Sequence, residues 1–239
     1  MEKSGKSVAA AAILAAGIVI AGWLLYRGVV HFKDSDRVVS VKGLSEKEVK
    51  ADRVIWPLVY KLAGNDVASL YNTIENNNSK IVSFLVSNGI AEDEITVSPA
   101  EVVDMDAERY VSQGVKYRFN VTSVLTVSTD KVDLVVDLMS RQGDLLRQGI
   151  AVGSGDDYRY RTQFLYTSQS LNEIKPVMIE EATRNARIAA EKFARDSESR
   201  LGKIKRANQG QFSISDRDAN TPYIKTVRVV TSVDYLLKD

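Results

Sequence analysis

The chain has 239 residues, enough for one large domain or two small ones. It carries 32 Lys and Arg residues against 31 Asp and Glu residues, and this net charge of +1 argues against a dedicated nucleic-acid-binding protein, which is usually strongly basic. The absence of cysteine excludes disulfides, thiolate metal sites and cysteine nucleophiles, and the single histidine, His31, excludes a histidine cluster and nearly all histidine-based acid–base catalysis.

The first segment of the chain is an uncharged apolar run over residues 8–26, which predicts a transmembrane signal anchor. A helix of this length rises about 28 Å, enough to cross a hydrocarbon core of about 30 Å. Trp23 and Tyr26 stand at its downstream end, where an aromatic belt is expected. A cleaved signal peptide is the competing interpretation, since residues 19–21 form an acceptable cleavage site.

The flanks of this run set the expected topology. Basic residues lie on both sides of it, so the positive-inside rule does not decide the orientation. A very short tail before a single span usually stays in the cytoplasm. We therefore expect residues 1–7 to be a cytoplasmic tail, residues 27–37 a juxtamembrane linker, and residues 38–239 a single domain outside the cytoplasm.

The first part of this domain predicts two strands and a helix. The strands, at 38–43 and 54–62, flank a polar turn at 45–52. Pro57 places the second strand at an edge or a bulge, because proline cannot donate to a ladder. Apolar residues then recur at helical spacing over 67–85, behind Asp66, which can cap the helix.

The rest of the domain alternates strand pairs with helices. Strands are predicted at 95–104, 115–128, 150–152, 158–166, 203–211 and 223–237, and helices at 132–139 and 170–199, with a polar loop at 213–222. Because the connections within strand pairs are short, the pairs are expected to be antiparallel. The fold class predicted is therefore α+β, with antiparallel strand pairs backed by about three helices.

One predicted strand carries aromatic side chains on a single face: Tyr158, Tyr160, Phe164 and Tyr166. Two interpretations stay open, half-buried packing of the sheet and a subunit interface, where tyrosine is enriched. The long strands at 115–128 and 223–237 also present edges that neighbouring subunits can cover.

Four charged clusters are candidate sites of chemistry. They are Asp104, Asp106 and Glu108; Asp156 and Asp157; Asp216, Arg217, Asp218 and Asn220; and Lys203, Lys205 and Arg206. Carboxylates can bind a hard cation or act as acid and base, and the third cluster loosely resembles a calcium loop without its glycine and terminal glutamate. Solvated loop charges explain each cluster more simply. We therefore predict no catalytic residue, no metal and no cofactor.

Three patches of the chain resemble the SIMPL-domain family, which includes bacterial periplasmic immunogenic and oxidative stress defence proteins. They are VSVKG at 39–43 with Asp52 after it, EATRNARIAAEKFA at 181–194 with LGKI at 201–204, and VRVVTSVDY at 227–235. The resemblance implies an envelope protein without an established catalytic activity, some of whose relatives assemble into large homo-oligomeric rings. The resemblance therefore implies a fold and a tendency to assemble for this chain, and it implies no active site.

These observations together predict a non-enzymatic protein of the bacterial inner membrane, with its domain in the periplasm. We expect the domain to self-assemble into a ring or cage with a scaffolding or channel-like role, linked to envelope or oxidative stress. The expected partners are further copies of the chain and the lipid bilayer, and not nucleic acid. The alternative is a monomeric tethered module that binds an exported protein or a small ligand.

Overall fold

The computed structural model describes residues 14–27, 37–107, 116–153 and 158–238. Contacts among residues divide the chain into two compact units. Unit 1 is formed by Met1–Lys47, Ile174–Ser213 and Val227–Asp239, as far as these are described, and unit 2 by Glu48–Glu173 and Ile214–Thr226. The predicted fold class is confirmed at this level: the fold is α+β with antiparallel sheets. The described residues form five α-helices, of which four follow residue 37, where about three were predicted.

Residues 14–27 form the first helix, α1, whose side chains are all exposed. The guanidinium of Arg27 lies 4.2 Å from the ring centroid of Trp23, and Trp23 and Tyr26 are 52% and 69% exposed. Residues 8–13 of the predicted anchor lie outside the described residues. Across the part of the chain that the structure describes, no helix is both long enough and apolar enough to cross a bilayer.

Nine strands and four further helices follow α1 among the described residues. In chain order they are β1 (Val38–Lys50), β2 (Arg53–Gly64), α2 (Val67–Ser87), β3 (Ile95–Val97), β4 (Glu101–Asp104), β5 (Phe119–Thr129), α3 (Val132–Ser140), α4 (Gly143–Arg147), β6 (Gln163–Leu165), α5 (Ser168–Asp196), β7 (Arg200–Gln209), β8 (Ser213–Asp216) and β9 (Ile224–Lys238).

Unit 1 places α5 on one face of a sheet with the strand order β1-β9-β7; β8 also pairs with β9. The buried side of α5 is a row of small residues at four-residue spacing, with Ala182, Ala186 and Ala190 fully buried. These alanines let the helix backbone approach the sheet closely. Gly43 of β1 completes the approach, since a Cβ built on it would lie 1.8 Å from the Ala182 carbonyl oxygen.

Unit 2 is a five-stranded antiparallel sheet with the order β3-β5-β2-β6, in which β4 also pairs with β5. Its core lies on one face of the sheet, because alternate residues of a strand point to opposite faces. Val54, Trp56 and Leu58 of β2 supply that face and are at most 1% exposed. The core also takes buried residues from the helices: Ile74, Ile81, Phe84 and Leu85 of α2, Val132, Val135 and Leu138 of α3, and Leu145 of α4.

The end of β2 next to β6 explains how proline is accommodated in a central strand. β6 pairs with β2 only at Arg53–Ile55. At Pro57, β2 is therefore paired with β5 on one side and with none of the described strands on the other. Pro57 therefore occupies a local edge, as the sequence predicts.

Four predicted elements differ from the structure. Residues 150–152, predicted as a strand, form none, and the adjacent Gly153 makes only an isolated bridge to Val59. β1 continues through residues 45–50, where we predicted a turn, and Gly43 lies inside the strand. The predicted strand at 158–166 is a 3₁₀ turn at Tyr158–Tyr160 followed by the short β6. The loop predicted at 213–222 contains β8.

Candidate functional site

A groove of about 300 Å³ lies on the face of the unit 2 sheet opposite the core. Ile55 and Pro57 of β2 form part of its floor, because they alternate with the core residues of the same strand. Thr122, Val124 and Thr126 of β5 form the rest. The antiparallel register pairs Pro57 with Thr126, so apolar and hydroxyl side chains adjoin on this floor. We call this cavity the back-face groove.

Two segments form the walls of the back-face groove. One is the 3₁₀ turn and the residues after it, which contribute Arg159, Tyr160, Arg161 and Gln163. The other is the connection from β3 to β4 with the first residue of β4, which contributes Ser98, Pro99 and Glu101. The groove thus combines a floor of apolar and threonine residues with walls that include two arginines and one glutamate. That combination can bind a small organic molecule and orient it by charge.

The guanidinium groups of this turn lie over aromatic rings. Arg161 lies 3.7 Å from the ring centroid of Tyr158, and Arg159 lies 5.5 Å from that of Tyr160. At the distance found for Arg161, a guanidinium turns its flat face to the ring, which leaves its in-plane N–H donors for other partners. Arg161 makes no ion pair with any residue within the described ranges.

The four aromatic residues predicted on one strand face occupy different environments. Tyr158 is 76% exposed, while Phe164 is buried and packs edge-to-face on Tyr223 at a centroid distance of 6.0 Å. The hydroxyl of Tyr166 donates to the Ser170 carbonyl oxygen at 3.1 Å; burial and nearby carboxylates raise its pKa. Tyr160 alone of the four lines the groove.

Asp104 and Asp106 both interact with Arg118. The guanidinium of Arg118 donates to both carboxylate oxygens of Asp104, at 2.8 to 3.2 Å, and lies 3.3 Å from Asp106. The hydrogen bond from Arg118 is the main reason that the pKa of Asp104 is lowered. Glu108, the third member of this predicted cluster, lies outside the described residues.

The loop before β9 is stabilised by hydrogen bonds among its own residues. Asp218 accepts hydrogen bonds from Thr221 and Arg217 and from the backbone N–H groups of Asn220 and Thr221, which lower its pKa to about 2. Asp216 pairs with the buried Lys225. The described residues contain no cluster of three or more His, Cys, Asp or Glu side chains able to hold a metal ion. Asp156, Asp157 and His31 lie outside them.

A second exposed surface is the strand β7 of unit 1, an edge strand that pairs with β9 alone among the described strands. All seven residues from 203 to 209 are exposed, including Ile204 at 50% and the predicted basic residues Lys203, Lys205 and Arg206. Ile204 pairs with Tyr235 and Ala207 with Val233, so both lie on the α5 side of the sheet.

The arginines of the groove were not among the residues singled out from the sequence. Their signal in the sequence is the repeat Tyr-Arg-Tyr-Arg at 158–161, in which the predicted strand gives a role to the tyrosines alone. A strand would put these tyrosines and arginines on opposite faces, whereas the 3₁₀ turn and the residue after it bring Arg159, Tyr160 and Arg161 to one groove.

The sequence profile of the SIMPL family, described as a protein of unknown function (DUF541), matches residues 39–235. The chain therefore belongs to the SIMPL family, and the predicted resemblance is confirmed. No curated protein matches the chain.

The residues that carry the family resemblance have structural roles. Gly43 and the alanines of α5 permit close packing of helix on sheet. Asp52 accepts hydrogen bonds from the backbone N–H and the hydroxyl of Thr167, immediately before α5, at 2.9 and 2.7 Å. Burial raises the pKa of Asp52, but hydrogen bonds from Ser170 and Thr167 outweigh this effect and lower it. Gly43, Asp52 and these alanines thus maintain the fold, and none of them lines the back-face groove.

Proposed function

We propose that this SIMPL-family chain is a non-catalytic, membrane-tethered protein of the bacterial inner membrane whose periplasmic domain assembles into a homo-oligomeric ring or cage. The observation that carries the proposal is the exposed edge strand β7. An unpaired strand edge is a template for another strand, and proteins cover such edges or use them for assembly. The role proposed for the assembly is that of a scaffold or channel at the envelope.

The tether is supported by the sequence and by the exposed surface of α1. The uncharged run over 8–26 is long enough to cross a bilayer, and Leu14, Ile18 and Leu25 are each more than 60% exposed in the described part. Assembly would bring many anchors to one membrane. Because linked binding events become intramolecular, an oligomer would be held far more strongly than a single copy.

The backbone of β7 indicates which groups are available at the edge. The N–H of Gly210 donates to the Val230 carbonyl oxygen at 2.8 Å. Inward and outward hydrogen-bonding groups alternate along an antiparallel strand. Asn208 therefore pairs inward with Ser232, and Ala207 and Gln209 point their N–H and C=O groups outward.

The first test is the native mass of the detergent-solubilised full chain beside that of a chain beginning at Asp34. A large discrete multimer in both is expected, because β7 belongs to the folded domain. A multimer that requires the anchor would assign assembly to the membrane helix instead. A monomer in both, across micromolar concentrations, would contradict the proposal.

A substitution at the edge tests β7 itself. In the full chain, Ala207→Pro removes an outward N–H without removing a hydrogen bond to β9, so it is expected to reduce the native mass. Ala207→Ser is the matched control, because it keeps the N–H and should keep the multimer. If Ala207→Pro stays folded by circular dichroism and leaves the multimer unchanged, assembly does not use this edge.

A second candidate function is ligand binding by the tethered domain, and the back-face groove is the observation that favours it. Tyr and Arg residues are enriched at binding hot spots, and both types line this groove. Replacing Tyr160 by alanine should weaken capture of a ligand while unit 2 stays folded. Ligand capture unaffected by this change would place the binding surface elsewhere.

A further inference from the structure

We propose that the back-face groove binds a small organic molecule with one carboxylate and an apolar body, and that Arg161 holds the carboxylate. The proposal deepens the second candidate function and rests on it. Three observations support it: the placement of Arg161, the composition and size of the floor, and the charges that line the walls.

Arg161 is placed to receive a carboxylate. Its guanidinium is held 3.7 Å above the Tyr158 ring, a contact that limits its orientation. It forms no ion pair with any described residue, so its in-plane donors are available. Arginine donates two parallel N–H bonds to a carboxylate, which gives both charge recognition and a fixed direction.

The floor of the groove favours an apolar body of limited size. Ile55, Pro57 and Val124 offer apolar surface, and Thr122 and Thr126 offer hydroxyl groups. The volume of about 300 Å³ is at the lower end of the range for small-molecule sites, about 300 to 1,000 Å³. A small molecule therefore fits this cavity better than a folded partner, which would bury a much larger surface.

The charges of the walls favour a single negative charge. Arg159 and Arg161 bring two positive charges to the lining, and Glu101 brings one negative charge. A monocarboxylate can pair with Arg161, whereas a second negative group elsewhere in the same groove would be repelled by Glu101. Gln163 and Tyr160, which also line the groove, are uncharged residues that can form hydrogen bonds.

The test uses para-fluorophenylpropionate and its primary amide, which have nearly the same shape and differ in charge. Fluorine NMR line broadening is measured with the full chain in phosphatidylcholine nanodiscs, and empty nanodiscs are subtracted. The acid is expected to bind saturably and the amide about tenfold more weakly, because the charge-assisted hydrogen bonds are lost.

Variants assign the binding to the groove. Arg161→Gln is expected to lower the affinity for the acid to that for the amide, and Arg161→Lys to restore it only in part, since lysine keeps the charge without the paired donors. Arg147→Gln on α4 is the matched control, because this exposed arginine does not line the groove, and it should leave binding unchanged.

The outcomes separate this proposal from the function on which it rests. Equal binding of acid and amide, both lost on Tyr160→Ala, would overturn the carboxylate assignment and leave ligand binding standing. If neither probe binds saturably, the groove does not bind small carboxylates and the proposal is overturned. The second candidate function would then stand only if the domain captures a different ligand and loses it on Tyr160→Ala. An Arg161→Gln chain that binds the acid as the unmodified chain does would remove Arg161 from the site.

Discussion

The hydroxyl of Thr231 in β9 has no hydrogen-bond partner among the described residues, although Thr231 is only 4% exposed. A buried polar group without a partner costs about 1 to 3 kcal/mol. Thr231→Val removes the hydroxyl and keeps the branched shape, so it is expected to stabilise unit 1 by about 1 kcal/mol. Native-state hydrogen exchange of the α5 amides in the full chain should slow by about fivefold.

Thr129 of β5 provides the matched control for this prediction. It is also buried, but its hydroxyl donates to Glu94 at 2.7 Å and accepts from the backbone N–H of Lys131 at 3.1 Å. Thr129→Val should therefore destabilise unit 2 by about 1 to 3 kcal/mol. If both substitutions change stability in the same direction, the hydrogen-bonding explanation is wrong for at least one site.

Glu94 is predicted to make unit 2 sensitive to acid. Burial raises its pKa, but hydrogen bonds from Thr129, the Ala91 N–H and Lys131 outweigh burial and lower the pKa to about 2, below the ordinary 4.5. The folded state therefore binds fewer protons than the unfolded state between these values. This stabilisation is complete above about pH 4.5 and is lost as the pH falls toward about 2.

The measurement is urea unfolding followed by the fluorescence of Trp56, which is buried in the unit 2 core, in a Trp23→Phe background. Glu94→Gln should be less stable than the parent by about 2 kcal/mol at neutral pH, and the difference should narrow as the pH falls from 4.5 to 2. A difference that stays constant over this range would show that ionisation of Glu94 does not contribute.

The hydrogen-bond partners of these residues were predictable from the sequence only where the two partners are close along the chain. The capping role of Asp66 was predictable, because a cap is local, and its carboxylate accepts from the Ala68 N–H at 3.1 Å. The partner of Thr129 is 35 residues away, and Asp52 accepts from Thr167 across 115 residues. Hydrophobic periodicity does not indicate which distant residues form hydrogen bonds. The polar networks and the arginines of the groove could therefore be identified only from the three-dimensional structure.

At the scale of elements, the contact between β1 and α5 is expected to be intolerant of any added atom. A Cβ at Gly43 would lie 1.8 Å from the Ala182 carbonyl oxygen and 2.5 Å from the Ala186 nitrogen. Both are backbone atoms of a helix, which cannot move without separating helix and sheet. Gly43→Ala should destabilise unit 1 by about 3 kcal/mol, measured as faster hydrogen exchange of the α5 amides.

Gly143, at the start of α4, is the control glycine. A Cβ there meets no atom of the described residues within 4 Å, and alanine favours a helix more than glycine does. Gly143→Ala is therefore expected to be neutral or to stabilise unit 2 by up to about 1 kcal/mol. Gly43→Ala behaving in the same neutral way would mean that α5 and β1 do not pack this closely.

Whether a segment is a helix or a strand could be predicted from the sequence where the segment buries one face at a regular spacing. The alternation at 115–128 gave β5, and the helical spacing at 67–85 gave α2, because both patterns report a single buried face. The stretch at 45–50 was misassigned, since its charged residues continue a strand with two largely exposed faces. The stretch at 158–166 was misassigned because alternating aromatic and charged residues are also compatible with a 3₁₀ turn.

For the whole molecule, local patterns identify elements and do not reveal how they group. The two units are each assembled from separate chain segments, and the boundaries fall inside β1, α5, β8 and β9 rather than in linkers. Composition cannot mark a boundary of this kind, because no stretch rich in glycine, proline or serine is needed there. The family profile spans both units, over residues 39–235.

The last prediction concerns the proposed tether, and the two tryptophans of the chain make it measurable. Trp56 is 1% exposed inside unit 2, whereas Trp23 on α1 is 52% exposed. In the full chain reconstituted in brominated phosphatidylcholine vesicles, Trp23 should be quenched and Trp56 should not. Quenching should not change between roughly 0.05 and 0.5 M salt, because a net charge of +1 gives little electrostatic attraction to a bilayer.

Two variants complete this experiment. Trp23→Phe should remove the quenched component, and Trp56→Phe should retain it, since only the first residue lies at the end of the apolar run where an aromatic belt is expected. Quenching that disappears at high salt would indicate binding at the lipid surface through charge. Quenching that survives Trp23→Phe would mean that unit 2 itself reaches the lipid, and the tether would then not be the element that holds this protein at the membrane.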